Sequence, residues 1–182
     1  GTDYAALTAA GLTNCKGQAD LALPSTTSMG FTWKATPTFT LQGEVARTNW
    51  STFSELRVKF ASGAPDSVTN ESWQNSNFMS LGGTWKLSDK WSVRAGVAFD
   101  QSAVDDAHRT PRIPDNDRRW ISVGASYTLS KKTAIDVGYS CLIIPDGKVM
   151  LTAAGDNITR GNLSGVMAAS INIIGVQVRH TF

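Results

Sequence analysis

Residues 174–182 read Ile-Gly-Val-Gln-Val-Arg-His-Thr-Phe. In an extended chain successive side chains point to opposite sides, so this stretch has two chemically different faces. One face carries Ile174, Val176, Val178, His180 and Phe182, and the other carries the glycine, glutamine, arginine and threonine between them. The strict two-residue period predicts a β-strand that lies between an apolar and a polar environment.

The end of this strand resembles the carboxy-terminal signal of bacterial outer-membrane β-barrels. Such barrels usually finish on an aromatic residue, as this chain does at Phe182, although His180 stands where a tyrosine is commoner. We therefore expect Val178, His180 and Phe182 to form a barrel-assembly terminus. The barrel-assembly machinery and outer-membrane lipid, including lipopolysaccharide, are the partners that this resemblance implies.

The composition is compatible with such a barrel. No stretch approaches the ~18 consecutive apolar residues of a transmembrane helix, but barrel strands need only about 10 alternating residues each. The formal net charge of +2 is too small to argue for a nucleic-acid partner. The 182 residues include six tryptophans, which is many for this length, and the sequence begins at Gly1 without an initiator methionine or a signal peptide.

Neither catalytic nor cofactor motifs are visible. His108 and His180 do not accompany a serine or cysteine in a nucleophile motif, so we expect no enzyme and no cofactor. Cys15 and Cys141 lie far apart and form no metal or redox motif, and their pairing as a disulfide stays open.

A hairpin unit recurs along the chain. Residues 82–96 align with residues 124–138 as strand, tight polar turn and strand, and a weaker copy begins at Gly30. Extending this alternation predicts seven antiparallel strands, at about 18–34, 38–60, 73–87, 90–102, 117–129, 132–150 and 163–182. Pro24 predicts a bend or an end in the first strand, and we expect bulges near Trp50-Ser51 and near Ile173-Ile174.

A soluble β-sandwich would also alternate, with its apolar face turned to a core. Three features favour lipid instead: aromatic residues cluster at the turn ends of the strands, the opposite face suits a lumen, and connections alternate between short and long. We call the two predicted sides of the sheet the lipid face and the lumen face. Bacterial single-chain barrels have even strand counts, so seven means that one strand is missed or that the chain is part of a larger barrel.

Charged side chains along the strands are expected on the lumen face, because exposing them to lipid costs several kcal/mol. They are Glu44, Arg57, Lys59, Arg94, Asp136 and Arg179. The candidate ligand-binding or wall-pairing residues are Arg57, Phe78, Arg94, Asp136 and Arg179. Arg94 and Asp136 occupy equivalent repeat positions and are predicted to pair. Arg57 or Arg94 could bind a carboxylate, although salt bridges that hold the wall are favoured.

The loop after the fourth strand is rich in carboxylates: Asp100, Asp105, Asp106, Asp115 and Asp117. A calcium site is one interpretation, but Arg109, Arg112, Arg118 and Arg119 are interleaved and the spacing fits no known calcium loop. We therefore favour carboxylate–guanidinium pairs that make the loop rigid, and we expect no metal. His108 is expected to be a solvated loop residue.

Residues 98–104 (Ala-Phe-Asp-Gln-Ser-Ala-Val) and 112–120 (Arg-Ile-Pro-Asp-Asn-Asp-Arg-Arg-Trp) resemble the FadL/TodX family of outer-membrane long-chain fatty acid and hydrocarbon transporters. Residues 19–24, 48–56 and 90–99 support the resemblance. The signature residues of the loop are Asp100, Arg112, Pro114, Asp115, Asp117, Arg118 and Trp120.

The resemblance implies an all-β fold, in which the chain supplies an antiparallel transmembrane β-barrel segment of about seven strands out of fourteen. It implies that 1–17 is part of an extracellular loop and 18–182 the carboxy-terminal half of the barrel, without the family's amino-terminal hatch and kinked strand. The family's lysine for the ligand carboxylate would align near Thr69 or Asn70 and is absent, which leaves neutral hydrocarbons open.

The expected function is passive transport of hydrophobic small molecules, long-chain fatty acids or hydrocarbons, across the bacterial outer membrane. The alternatives are a non-transporting structural or surface-recognition barrel, and an inactive truncated remnant.

Overall fold

The computed structural model describes residues 14–158 and 160–182, which form β-strands and two short 3₁₀ turns. The strands are β1 (Gly17–Ala19), β2 (Thr26–Lys34), β3 (Phe39–Thr48), β4 (Glu55–Phe60), β5 (Ser67–Asn70), β6 (Ser76–Lys86), β7 (Trp91–Asp100), β8 (Arg118–Ser130), β9 (Thr133–Ile143), β10 (Gly147–Leu151), β11 (Leu163–Met167) and β12 (Ser170–His180). The 3₁₀ turns are Trp50–Thr52 and Gly155–Asn157.

Seven strands form one antiparallel sheet in the order β12-β9-β8-β7-β6-β3-β2. The short links 35–38, 87–90 and 131–132 lie at one end of this sheet, which we call the turn end. The long connections lie at the other end, the loop end. They contain β4, β5, β10 and β11, which form two small sheets, β10-β11 and, together with β1 from the segment before β2, β1-β4-β5. The predicted seven-stranded antiparallel sheet is confirmed, as is the alternation of short and long connections.

The strand register confirms the two predicted faces, because residues directly opposite each other on neighbouring strands lie on the same side of a sheet. Large apolar side chains such as Trp33, Leu81 and Val97 line the lipid face and are exposed in this chain. Two glycines interrupt that face, and phenylalanine rings cover both. A Cβ on Gly43 would lie 2.5 Å from Cε1 of Phe31, and one on Gly83 would lie 2.9 Å from Cε2 of Phe39.

Four of the predicted strands are each divided in two near the loop end. The first breaks between β1 and β2, where Pro24 predicted an end, since proline has no N–H for the ladder. The second breaks at the 3₁₀ turn Trp50–Thr52, so the predicted bulge at Trp50-Ser51 is wrong. Residues 132–150 and 163–182 likewise divide into β9 and β10, and β11 and β12.

The bulge expected near Ile173-Ile174 is also wrong, because β12 pairs with β9 in an uninterrupted register from Ser170 to His180. The apolar side chains of β12 change from the lumen face to the lipid face at this point, because the lumen face of the sheet is itself apolar near the loop end. Ile171 lies opposite Leu142, a side chain that is only 3% exposed. The shift in register that the main sheet does contain lies at the turn end of β8, between Thr128 and Ser130.

The seven-stranded sheet is open within the described residues. There β2 pairs only with β3, and β12 only with β9. Both edge strands run from the loop end to the turn end, so they would meet in a parallel arrangement. The assignment of 18–182 to one half of a barrel stays a prediction, and most of the expected loop 1–17 lies outside the described residues.

Cys15 and Cys141 are free thiols, so the structure contains no Cys15–Cys141 disulfide. No helix within the described residues is long and apolar enough to cross a membrane.

Candidate functional site on the lumen face

Three charged residues meet on the lumen face near the turn end. Asp136 of β9 lies between Arg94 of β7 and Arg179 of β12, and we call these three residues the cationic cluster. Arg179 donates from Nε to Asp136 Oδ2 over 2.7 Å, and Arg94 donates from Nη2 to Asp136 Oδ1 over 3.3 Å. The predicted Arg94–Asp136 pair is therefore confirmed, and Arg179 extends it.

Ser126 links Arg94 with Asp136. It belongs to β8, the strand that lies between β7 and β9. Its hydroxyl accepts a hydrogen bond from Arg94 Nη2 at 2.5 Å and donates one to Asp136 Oδ1. Ser126 is itself buried. The alternation pattern does not predict this role, although the pairing of β8 with β9 places Ser126 directly opposite Asp136.

The cluster has an excess of positive charge, since two guanidinium groups share a single carboxylate. The Asp136 side chain is only 16% exposed, whereas those of Arg94 and Arg179 are 44% and 57% exposed. Asp136 is thus covered by its partners, and the arginines face the open side of the sheet. Such an arrangement can hold the wall together and still offer donors to an anion.

Apolar side chains occupy the same face nearer the loop end, and we call them the apolar patch. They are Phe78, Trp120, Leu142, Ile171 and Ile173. Trp120 lies opposite Leu142, which in turn lies opposite Ile171. Phe78 and Trp120 line one cavity of about 630 Å³. The lumen position of Phe78 was predicted, whereas Leu142, Ile171 and Ile173 were missed because the alternation alone assigns apolar residues to lipid.

A shallow trough connects the patch with the cluster. It has a volume of about 570 Å³, and Ile173 and Arg94 both line it. Its floor consists of glycines from five neighbouring strands: Gly82, Gly96, Gly124, Gly138 and Gly175. Because glycine has no side chain, the wall is thinnest between the apolar and the cationic regions.

Arg57, one of the predicted lumen residues, lies elsewhere. It belongs to β4 in the small sheet at the loop end, because the predicted strand 38–60 breaks at the 3₁₀ turn. Arg57 donates from Nε to Glu55 at 2.7 Å and from Nη1 to Asp66 at 3.1 Å. These side-chain hydrogen bonds raise the pKa of Arg57, and the bond to Glu55 has the larger effect. The lumen assignment of Arg57, and of Lys59 on the same strand, is therefore wrong.

The signature loop, residues 101–117, is held by the predicted carboxylate–guanidinium pairs. Arg118 contacts Asp100 at 3.1 Å and Asp115 at 3.6 Å. Asp117 accepts a hydrogen bond from the backbone N–H of Ser102 at 2.9 Å, and Asp115 accepts one from the Ser102 hydroxyl at the same distance. Arg112 and Pro114 are exposed at the outside of the loop.

Arg109 anchors this loop to the β10–β11 hairpin, a role that its position in the sequence does not predict. It is 2% exposed and donates to the backbone oxygens of Asp115 at 2.8 Å and Lys148 at 3.0 Å, and it pairs with Asp106. A Cβ on Gly147 would lie 2.8 Å from Arg109 Nε, so glycine is needed for this approach. The only sequence signal was an arginine between aspartates.

His108 is a loop residue, as expected, and its side chain is half-buried because its ring contacts a carboxylate. Its Nδ1 lies 2.7 Å from Asp105 Oδ1, and its backbone N–H donates to the same oxygen at 2.9 Å. Burial raises the pKa of Asp105, but the hydrogen bonds from His108 outweigh it and leave that pKa below its usual value. The side chain of Gln74 also donates a hydrogen bond to Asp105. This bond connects the loop to the segment just before β6.

The terminal strand places Val178 and His180 on the lipid face, as predicted. His180 Nδ1 lies 2.9 Å from the Thr133 hydroxyl, and its ring packs edge-on against Phe182 at 4.9 Å between centroids. Recognition of this end by the assembly machinery stays a prediction.

Comparison with known proteins settles the family. The family model described as outer membrane protein transport protein (OMPP1/FadL/TodX) matches residues 2–182. The chain belongs to this family. The FadL/TodX family consists of outer-membrane proteins that transport hydrophobic compounds, and the outer membrane is therefore the location of this chain.

Curated FadL/TodX relatives are longer than this chain. It is 32% identical over 176 residues to the 47 kDa outer membrane protein of Pasteurella multocida, which covers 97% of this chain and 39% of the relative. It is 33% identical over 133 residues to the long-chain fatty acid transport protein of Escherichia coli K12, covering 73% of this chain and 30% of that protein. The chain thus spans less than half the length of these relatives.

Solved FadL/TodX structures have the same sheet. A FadL homologue of Pseudomonas aeruginosa superposes with a TM-score of 0.82 at 27% identity, over 90% of this chain and 37% of that one. The toluene transporter TodX of Pseudomonas putida superposes with a TM-score of 0.62 at 16% identity, over 91% and 36%, which shows the fold alone. The predicted fold class, a segment of an antiparallel transmembrane β-barrel, is confirmed.

Proposed function

We propose that the protein containing this chain is a passive channel for hydrophobic small molecules, long-chain fatty acids or hydrocarbons. The observation that carries this proposal is the apolar patch on the lumen face. A purely structural barrel has no need to expose Phe78, Trp120 and Ile173 to its lumen, because burial against lipid is available on the opposite face.

The chain provides two parts of such a channel. The apolar patch offers a ligand an environment that replaces lipid, and the trough leads from there towards the turn end. The ligand would move passively, from site to site, down its own concentration gradient. Membership of the FadL/TodX family supports transport.

A deletion strain tests the proposal. Cells that lack the gene should grow more slowly on at least one hydrophobic carbon source, and re-expression should restore growth. Growth on water-soluble carbon sources serves as the control for general damage to the outer membrane. Unchanged growth of the deletion strain on every hydrophobic source would contradict transport.

The rival function is recognition of a surface partner by the loops. The observation in its favour is the anchoring of the signature loop. Buried Arg109 joins this loop to the β10–β11 hairpin at the loop end. Deleting residues 101–112 separates the two functions. Loss of binding of a phage or host partner, with hydrophobic uptake intact, would support recognition instead of transport.

A further inference from the structure

We propose that the cationic cluster is a binding site for the anionic head group, such as a carboxylate, of a single-chain amphiphile whose tail lies on the apolar patch. This inference rests on the proposed function and assigns the cluster a part in it. It also sets the orientation of the ligand, with its head towards the turn end of the sheet.

The first argument is the charge of the cluster. A pair of oppositely charged residues would be enough to join β9 to one neighbour, but here one aspartate faces two arginines. The second guanidinium leaves the group with a net positive charge on the lumen side. A monoanionic head group is the occupant that neutralises it.

The second argument is the supply of hydrogen-bond donors. Within the described part of the chain, Arg94 bonds through Nη2 alone, and Nη1 of Arg179 makes no hydrogen bond. A guanidinium group has five N–H donors in a planar fork that matches a carboxylate. Both side chains are about half exposed, so these donors are accessible from the lumen.

The third argument is the distance between the two regions. Trp120 and Ser126 lie on the same face of β8, six residues apart, which corresponds to about 20 Å along the strand. The extended tail of a long-chain amphiphile has a comparable length. The glycine floor of the trough leaves room for it, since no side chain of Gly96, Gly124 or Gly138 projects into that path.

The proposed head-group site does not depend on the family's lysine, which would align near Thr69 or Asn70. Those two residues lie at the loop end, in β5, and line a separate polar cleft of about 290 Å³ with His108 and Arg160. The proposed head-group site lies at the opposite end of the sheet. An anionic ligand therefore has a partner in this chain even without that lysine.

The test is a comparison of two ligands of equal chain length, hexadecanoate and hexadecanol. Their affinities would be measured for the protein purified from outer membranes in a mild non-ionic detergent. We expect Arg179→Gln and Arg94→Gln each to weaken hexadecanoate binding about fivefold and to leave hexadecanol unchanged, because only the anion uses the guanidinium donors.

Asp136→Asn should change the hexadecanoate affinity in the opposite direction. Removing the carboxylate leaves both arginines without their partner, so hexadecanoate should bind about threefold more tightly while hexadecanol is again unchanged. Lys132→Gln is the matched control, since it removes one positive charge from the exposed link between β8 and β9 at the same end of the sheet. It should change neither affinity.

The outcomes separate this inference from the proposed function. Binding of both ligands with no effect of any cluster substitution would overturn the head-group site and leave transport standing. An equal loss for both ligands in all three variants would assign the cluster a purely structural part and would also overturn it. Failure of the unmodified protein to bind either ligand would contradict the proposed function as well.

Discussion

A single buried arginine fastens the signature loop. Arg109 satisfies the backbone oxygens of Asp115 and Lys148 while it is almost completely removed from water. Cutting such a side chain back leaves buried acceptors without donors, which is more costly than losing an exposed pair. At the scale of one residue, the loop therefore depends on Arg109 more than on its exposed ion pairs.

We predict that Arg109→Ala lowers the free energy of local unfolding of residues 101–117 by about 2–4 kcal/mol. Cleavage of the folded protein by proteinase K within this loop should become faster. Arg112→Ala is the matched control, because Arg112 is an exposed arginine of the same loop. Equal cleavage rates for Arg109→Ala and the unmodified protein would contradict the anchoring role.

Asp105 should make the same loop sensitive to acid. Its pKa is lower when folded than when unfolded, so its contribution to stability is present above the unfolded pKa and is lost as the pH falls through the folded pKa. The usual aspartate pKa is about 4, which places the loss below that pH.

The measurement is the hydrogen-exchange protection of the His108 amide, which donates to Asp105. Protection, corrected for the intrinsic exchange rate, should fall below about pH 4. Asp105→Asn should lower protection at neutral pH and remove most of this pH dependence. Unchanged pH dependence in Asp105→Asn would show that another group controls the loop.

At the scale of the strand, alternation assigns each residue to lipid or lumen. Ser80 and Leu81 are neighbours in the middle of β6 and point to opposite faces. An arginine at the bilayer midplane costs about 2–4 kcal/mol when it faces lipid, and a lumen position avoids this penalty.

We therefore predict that Leu81→Arg destabilises the assembled protein by about 2–4 kcal/mol, whereas Ser80→Arg changes its stability little. Urea unfolding of the protein in lipid vesicles, followed by tryptophan fluorescence, measures both. Each variant is the control for the other, since they place the same side chain one residue apart. Equal destabilisation would contradict the face assignment of β6.

The strand pattern made the sheet predictable, because the hairpin repeat fixes both the register and the faces. Arg94 and Asp136 were expected to pair on that basis, and they do. The failures lie where local geometry replaces the ladder. The lumen assignment of Arg57 is wrong because alternation does not reveal the 3₁₀ turn that follows β3. The bulge predicted near Ile173-Ile174 is wrong because alternation alone assigns apolar residues to lipid, whereas the lumen face is apolar near the loop end.

The site was only partly predictable for a related reason. Side-chain partners across strands depend on rotamers as well as on register, so Ser126 and Arg179 could be placed on the lumen face but not connected to Asp136. Arg109 is similar, since its partners are backbone oxygens of distant loop segments. Periodicity carries no information about these contacts.

At the scale of the whole molecule, the open sheet is the decisive feature. Unpaired strand edges cannot face lipid, because no water is present to satisfy their backbone groups. Within the described residues β2 and β12 have one neighbour each, and their directions would make a parallel seam. We therefore expect the isolated 182-residue chain not to close into a barrel.

A heat-modifiability gel tests this expectation. A closed barrel resists SDS until it is boiled and migrates as a compact band. We predict that the chain refolded alone in detergent migrates identically with and without boiling. A shift of the unboiled band would contradict the prediction and would mean that the chain closes by itself or by dimerising.

Under the proposed function, hydrophobic molecules pass along the lumen face of this sheet. The most direct measurement is the initial uptake rate of a labelled long-chain ligand in cells that express the protein with Phe78→Asp. Ser28→Asp is the matched control, because it adds the same charge to the lumen face at the same level of the sheet but at a polar position.

With equal amounts of protein in the outer membrane, Phe78→Asp should lower uptake several-fold and Ser28→Asp should leave it unchanged. Normal uptake in Phe78→Asp, under conditions where deletion of the gene abolishes uptake, would contradict passage of the ligand along this face.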